Sequence, residues 1–305
     1  MIARRVGRIA VAAFALLVVG AVIGIADEQA DSATLSVFVS ILPQQYFVER
    51  IGGDTVAVSV LVPPGQGPAT YEPTPQQVVA LGGSDLYLTI GVPFEDAFVP
   101  RIESNLPNLP ILDTSHTIEK RSLEGHSHDE GDDHHDEGDD HEGGSLDPHV
   151  WLGPDEVKQQ IAVIYDALVV LAPEHRALYR ANYDAFIADI DALKAELTGY
   201  LAPISGGTFY VFHPAFGYFG DAFGLTQKAI ETGGDEPTPA RLASIIEEAR
   251  ADEVRVVFVQ AQFSTIAATR VAEAIGGAVV QVNPLDPDWL ENMRRIATAL
   301  SEGLR

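Results

Sequence analysis

Short apolar runs and amphipathic stretches take turns along the chain from residue 34 onward. The run at 34–39 (TLSVFV) is rich in β-branched and aromatic positions and predicts a strand. Residues 44–51 then carry a helical pattern, and Gly52-Gly53 turns the chain into a second apolar run at 56–62. Pro75 suits the first turn of a helix over 76–81, 86–90 reads as a buried strand, 95–105 as a helix and 111–113 as a short strand. The alternation returns later with strands at 208–212, 227–230, 254–259 and 278–282 and helices at 215–223, 240–251, 265–274 and 289–300. Strands interleaved with helices predict an α/β class with mostly parallel sheets covered on both faces. Two such stretches predict two lobes, at 34–152 and 204–305, alike in architecture but without a close sequence repeat.

Residues 153–203 predict a helical connector. Pro154 opens one helix, and beyond Pro173 the residues Tyr179, Tyr183, Phe186, Ile190, Leu193, Leu197 and Tyr200 recur at steps of four and three, the period of one helical face. No Gly or Pro interrupts the stretch before Gly199, which favours one rod over two shorter helices. A helix over 174–201 is on the order of 40 Å long at 1.5 Å per residue, longer than one small lobe is wide. Such a backbone helix joins both lobes and limits how far they close, which suits a binder with modest motion rather than a wide hinge.

At the N-terminus, Arg4, Arg5 and Arg8 precede the uncharged run 9–26, followed by Asp27 and Glu28. This is the pattern of an export signal. Gly24 and Ala26 suit a cleavage site, while the length of the run also suits an uncleaved membrane anchor, so 1–26 is a signal peptide or an anchor. Both readings place the remainder outside the cytoplasmic membrane.

Composition narrows the ligand. A chain of 305 residues, 46% hydrophobic, can fill two medium cores. Its net charge of -25 disfavours nucleic acid or an anionic surface as partner and suits a cation. The absence of cysteine excludes disulfides, thiolate zinc sites, cysteine nucleophiles and a lipid-modified cysteine, so any metal site uses nitrogen and oxygen. Five of the nine histidines, His126, His128, His134, His135 and His141, fall in the Asp, Glu and Gly-rich stretch 124–146. That composition cannot build a packed core, so it reads as a solvated, metal-collecting loop, or more plainly as an acidic linker.

Ligands of open α/β sheets bind beyond the carboxyl ends of the strands. The loops there are polar, and His149 and His213 stand out because each sits beside a proline that stiffens the backbone and fixes an imidazole. Either is also explained as a structural histidine bonded to a carbonyl. Two imidazoles half-fill a tetrahedral zinc shell. Glu72 is a candidate for a further donor, with Glu231, Asn283 and Gln260 as weaker ones, although each taken alone is better explained as a cap or turn residue than as a ligand.

The segments LVPPGQGPATYEPTP (61–75), DPHVWLGP (147–154), FHPAFGYF (212–219), EPTPARL (236–242), QAQFS (260–264) and NPL (283–285) follow one another in a family order. Together they resemble the zinc/manganese solute-binding proteins of ABC importers, ZnuA-like and TroA-like, over about residues 34–304. The resemblance implies two α/β lobes joined by a rigid helix, a divalent metal in the cleft and a His-rich loop in the first lobe. It also implies a monomeric, non-enzymatic protein partnered by an ABC permease and its ATPase. His149 and His213 match the family's second and third ligand positions. An imidazole at 213 belongs to the zinc-type branch, so Zn2+ is the expected cargo, with Mn2+ or another divalent transition metal as the alternative. The chain departs from the pattern at Ala69, where the family places its first histidine, at Asn283, where many members have Asp, and at Gln260-Ala261, in place of Glu-Pro. Glu72, or a histidine from 126–141, is expected to complete the shell. A metal buffer or adhesin without transport, and a metallohydrolase, are the competing readings; no HExxH motif or nucleophile elbow supports the latter.

Overall fold

The structure, a computed structural model, describes residues 34–123, 145–231 and 237–305. The leader or anchor expected over 1–26 and the five histidines His126, His128, His134, His135 and His141 lie outside the described residues. Among the described residues no helix is long and apolar enough to cross a membrane.

The predicted α/β architecture is present as two four-stranded, wholly parallel sheets. The first contains β1 (Leu35–Val39), β2 (Val56–Val60), β3 (Leu86–Thr89) and β4 (Ile111–Asp113) in the order β2-β1-β3-β4. The second contains β5 (Thr208–Val211), β6 (Thr226–Ala229), β7 (Val256–Gln260) and β8 (Ala278–Val282) in the order β6-β5-β7-β8. Burial follows position. The central strand β3 is buried throughout, and β1, β5 and β7 nearly so, whereas the edge strands β2 and β8 alternate or stay half-exposed.

Helices α1 (Leu42–Gly52), α2 (Pro75–Leu81) and α3 (Pro93–Asn105) connect the first sheet, and α6 (Gly217–Phe223), α7 (Pro239–Ala251), α8 (Ile266–Ile275) and α9 (Trp289–Gly303) belong to the second. α3 starts two residues earlier than the pattern predicts because Pro93 takes the N-terminal position that needs no N–H. α2 is closed at its start by a capping box: Thr74 Oγ1 accepts from the Gln77 N–H, and the Gln77 side chain accepts from the Thr74 N–H.

The connector consists of α4 (Pro154–Leu171) and the single rod α5 (Arg176–Leu201), preceded by a 3-10 turn at Pro173–His175. At 26 residues α5 is about 39 Å long. Its buried face is Tyr179, Phe186, Ile190, Leu193, Leu197 and Leu201, five of which belong to the predicted stripe. The rod packs on both halves. Phe186 meets Phe47 of α1 and Trp289 of α9 with ring centroids 6.1 and 6.4 Å apart, and Arg294 of α9 makes a forked pair with Glu196. Arg50 of α1 pairs with Asp189 at 2.5 Å. Two indoles complete the join: Trp151 Nε1 donates to Pro284 O at 2.8 Å and Trp289 Nε1 to Trp151 O at 2.6 Å.

In each sheet the strand order reverses between the two central strands, between β1 and β3 and between β5 and β7. Crevices at such reversals, beyond the carboxyl ends of the strands, are where α/β sheets take ligands.

Candidate metal centre

His213 follows β5 at the reversal point of the second sheet. Its backbone is bracketed by one buried amide, with His213 N–H donating to Gln260 Oε1 at 3.2 Å and Gln260 Nε2 donating to His213 O at 2.6 Å. Both ends of the Gln260 amide are thereby engaged, so this residue, weighed above as a weak ligand, holds the histidine backbone instead. The ring stacks on Phe263 with centroids 4.8 Å apart, and its Nδ1 lies 2.6 Å from Glu231 Oε1.

His149 arrives from the other side, at the end of the Asp147-Pro148-His149 turn. Asp147 Oδ1 accepts from the His149 N–H at 2.9 Å and lies 2.7 Å from its Nδ1, and the ring leans edge-on against Trp151. Asp147, His149 and Glu231 are all buried. The two rings meet with Nε2 facing Nε2 at 3.2 Å.

The tautomers follow from the partners. A carboxylate only accepts, so each Nδ1 carries the proton and each Nε2 presents a lone pair. Two lone pairs at 3.2 Å need something positive between them, either a shared proton or a cation. A zinc ion bound tetrahedrally at 2.0–2.1 Å to two nitrogens sets them about 3.3 Å apart, so the pair already stands at the bite of such an ion. Burial holds the His213 imidazole below its ordinary pKa, a drop that Glu231 opposes and His149 reinforces, and a neutral ring is the form that ligates.

The imidazoles open into a cavity of about 170 Å³ whose wall includes Pro68, Ala69, Asp96, His149, His213 and Phe263. Ala69 therefore stands on the wall facing the site. Glu72 does not: it is exposed and is absent from the cavity wall. Asn283 is also absent from that wall, and its Oδ1 accepts from Gln262 Nε2 and the Leu285 N–H, both at 3.1 Å, as a turn residue. Glu231 is central to the site but bonds the far nitrogen of His213 rather than facing the opening. Asp96, in the first turn of α3, is a wall residue that the pattern of the chain did not single out, although the loop after β3 is the place to look. Among the described residues no group of three or more His, Asp or Glu side chains converges closely enough to hold an ion.

A clasp fastens His149 to the second half. Residues 121–123 and 145–147 pair across the foot of the His-rich segment: Leu123 N–H donates to Ser145 O, Asp147 N–H donates to Arg121 O, both at 2.8 Å, and Ser122 bridges Leu146. The Tyr218 hydroxyl of α6 accepts from the Arg121 N–H at 3.2 Å and donates to Asp147 O at 2.9 Å. Arg121 Nε lies 3.3 Å from Asp221 Oδ2 on the same helix. Gly217 makes room for this, since a Cβ there would stand 1.5 Å from Arg121 Nη1 and 2.9 Å from Asp147 Oδ2.

The family model for the zinc-uptake complex component A, periplasmic, matches residues 37–303. The high-affinity zinc uptake system protein ZnuA of Yersinia pestis is 30% identical over 271 residues, covering 84% of this chain and 83% of that protein. The zinc-binding lipoprotein AdcA of Streptococcus pneumoniae serotype 4 is 27% identical over 263 residues, and the match spans 85% of this chain but 52%, about half, of that relative. A crystal structure of ZnuA superposes with a TM-score of 0.80 at 36% identity, over 89% of this chain and 100% of that one.

Proposed function

The chain belongs to the periplasmic zinc-uptake component family, and from that premise we propose that it is the extracytoplasmic solute-binding component of a metal-ion ABC importer. It captures zinc, with manganese or another divalent transition metal as the alternative cargo, and passes it to a membrane permease driven by an ATPase. His149 and His213 are the ligands. Its role is carriage, not catalysis, and it works as a monomer exported by residues 1–26, which are cleaved or kept as an anchor.

One observation carries the reading: a buried and a partly buried imidazole, each with Nδ1 on a carboxylate, turn their Nε2 atoms toward each other at the spacing one cation requires. The five histidines of 124–146 act as an accessory collector whose two ends enter the chain at the clasp beside the cavity. The test is metal content of untagged protein lacking residues 124–144, with and without His213→Ala. About one zinc per chain is expected in the former and none in the latter. Equal metal in both would remove the assignment. Restoration of growth in a strain lacking its own zinc-binding component separates an importer subunit from a metal buffer.

A further inference from the structure

Three features of the cavity do not match a bare ion. The first is the donor count. Two imidazoles supply two of the four positions of tetrahedral zinc, Ala69 supplies none, and no third His, Asp or Glu among the described residues converges on them. The second is room. A water needs about 10–15 Å³ of such space, so two waters on the ion take about 30 Å³, and the cavity is several times larger at about 170 Å³. The third is the wall, where Pro68, Ala69, Val92, Leu146 and Phe263 offer apolar surface beside a few polar groups, Asp96, Ser145 and Gln262.

Charge narrows what fills the space. No Lys or Arg stands on the described wall, and Asp96 is its one acidic residue. Lys120, whose Nζ occupies the space that a side chain at Gly91 would need, is not part of the wall. A polycarboxylate chelator would bring surplus negative charge to a wall with no countercharge, in a chain already at -25. An α-amino acid would not. Its amine and carboxylate close a five-membered ring on the metal, fill two positions, and leave a complex of net charge +1 facing Asp96, with its side chain on the apolar wall.

We propose that the cargo is a divalent metal already carrying one small amino-acid-type chelator, taken up as a ternary complex in which His149 and His213 supply two donors and the chelator supplies the other two. This rests on the metal-carrier reading above and names its substrate more closely. The small side chain of Ala69 is, on this account, what leaves room for the chelator.

The test uses the full chain, purified untagged, loaded with zinc in the presence of radiolabelled L-histidine, passed through a desalting column and weighed intact under native conditions. Glycine serves as the second probe. One amino acid per site zinc is expected to stay with the wild type. Ala69→His, at an exposed position that tolerates the change, adds a third imidazole and is expected to bind zinc alone at least tenfold more tightly and to retain no amino acid. Ala69→Leu fills the same space without a donor and is expected to lose the ternary complex with no gain in affinity for zinc alone. Zinc held by the wild type without amino acid, with equal affinity in Ala69→His, would overturn the chelate inference and leave the metal carrier standing. Retention of neither zinc nor its complex would overturn both.

Discussion

At the scale of single residues, the two histidines are held by carboxylates that sit behind the rings, on the side away from the cavity. Asp147 and Glu231 orient the rings and fix the proton on Nδ1, and they raise the electron density that each Nε2 can give. Glu231→Gln keeps the shape and removes the charge. Zinc affinity measured by competition with a chelating dye is expected to fall about 10–100-fold, the usual cost of losing such a partner, with an unchanged circular dichroism spectrum. Full affinity in the variant would show that the imidazole is held by Gln260 and Phe263 alone. From the sequence, His149 and His213 were readable because a proline sits against each. The role of Glu231 was not, because the 18-residue gap from His213 is closed only when β5 and β6 pair, and local pattern carries no trace of that pairing.

At the scale of elements, α6 has a task that its seven residues do not advertise. Its Tyr218 hydroxyl joins both strands at the foot of the His-rich segment, and through Asp147 that foot is one bond from His149. Tyr218→Phe leaves the ring in place but takes the hydroxyl from both the buried Asp147 carbonyl and the Arg121 N–H, a loss of about 1–3 kcal/mol for the buried carbonyl alone. Weaker zinc binding and a lower melting temperature are both expected. A lower melting temperature with unaltered zinc affinity would uncouple the clasp from the ligand. Element type was legible almost everywhere, because strands buried on both faces are continuous apolar runs and α5 shows an unbroken helical stripe. Boundaries were less so: β7 runs to Gln260, one residue beyond the predicted end, because Gln260 still pairs with Val282. The clasp was invisible, since a tyrosine inside an aromatic helix reads as core.

At the scale of the whole molecule, one buried acid ties stability to pH. Glu95 accepts from the N–H groups of Ile90 and Gly91 and from the Ser40 hydroxyl, which also contacts Tyr87, and so pins the turn after β3 where Gly91 adopts a φ of 83°. Burial outweighs these bonds and lifts its pKa to about 7. The native state therefore holds a proton that the unfolded chain has released above about pH 4.5. The resulting stability is complete below that pH and is lost as pH rises through 7, up to about 3 kcal/mol. Glu95→Gln is neutral at every pH, so unfolding by urea should show wild-type stability falling relative to the variant between pH 5 and 8. Parallel curves would refute the shift. The two-lobed plan itself was legible from the chain, whereas the strand orders were not, since nothing local says which neighbour β1 or β5 chooses.

The rod α5 is fastened along its middle and C-terminal half: Phe186 meets both Phe47 and Trp289, Asp189 holds Arg50 and Glu196 holds Arg294. A spine bolted in this way denies the molecule the jaw-like swing by which looser carriers drop what they hold. For the carrier proposed above, unloading would then be a matter of leverage, a docking partner twisting the two histidines out of register by small slips along the seam. Grip and surrender are thus set by the same few interlobe bonds, and a variant that tightens them should saturate readily and deliver poorly.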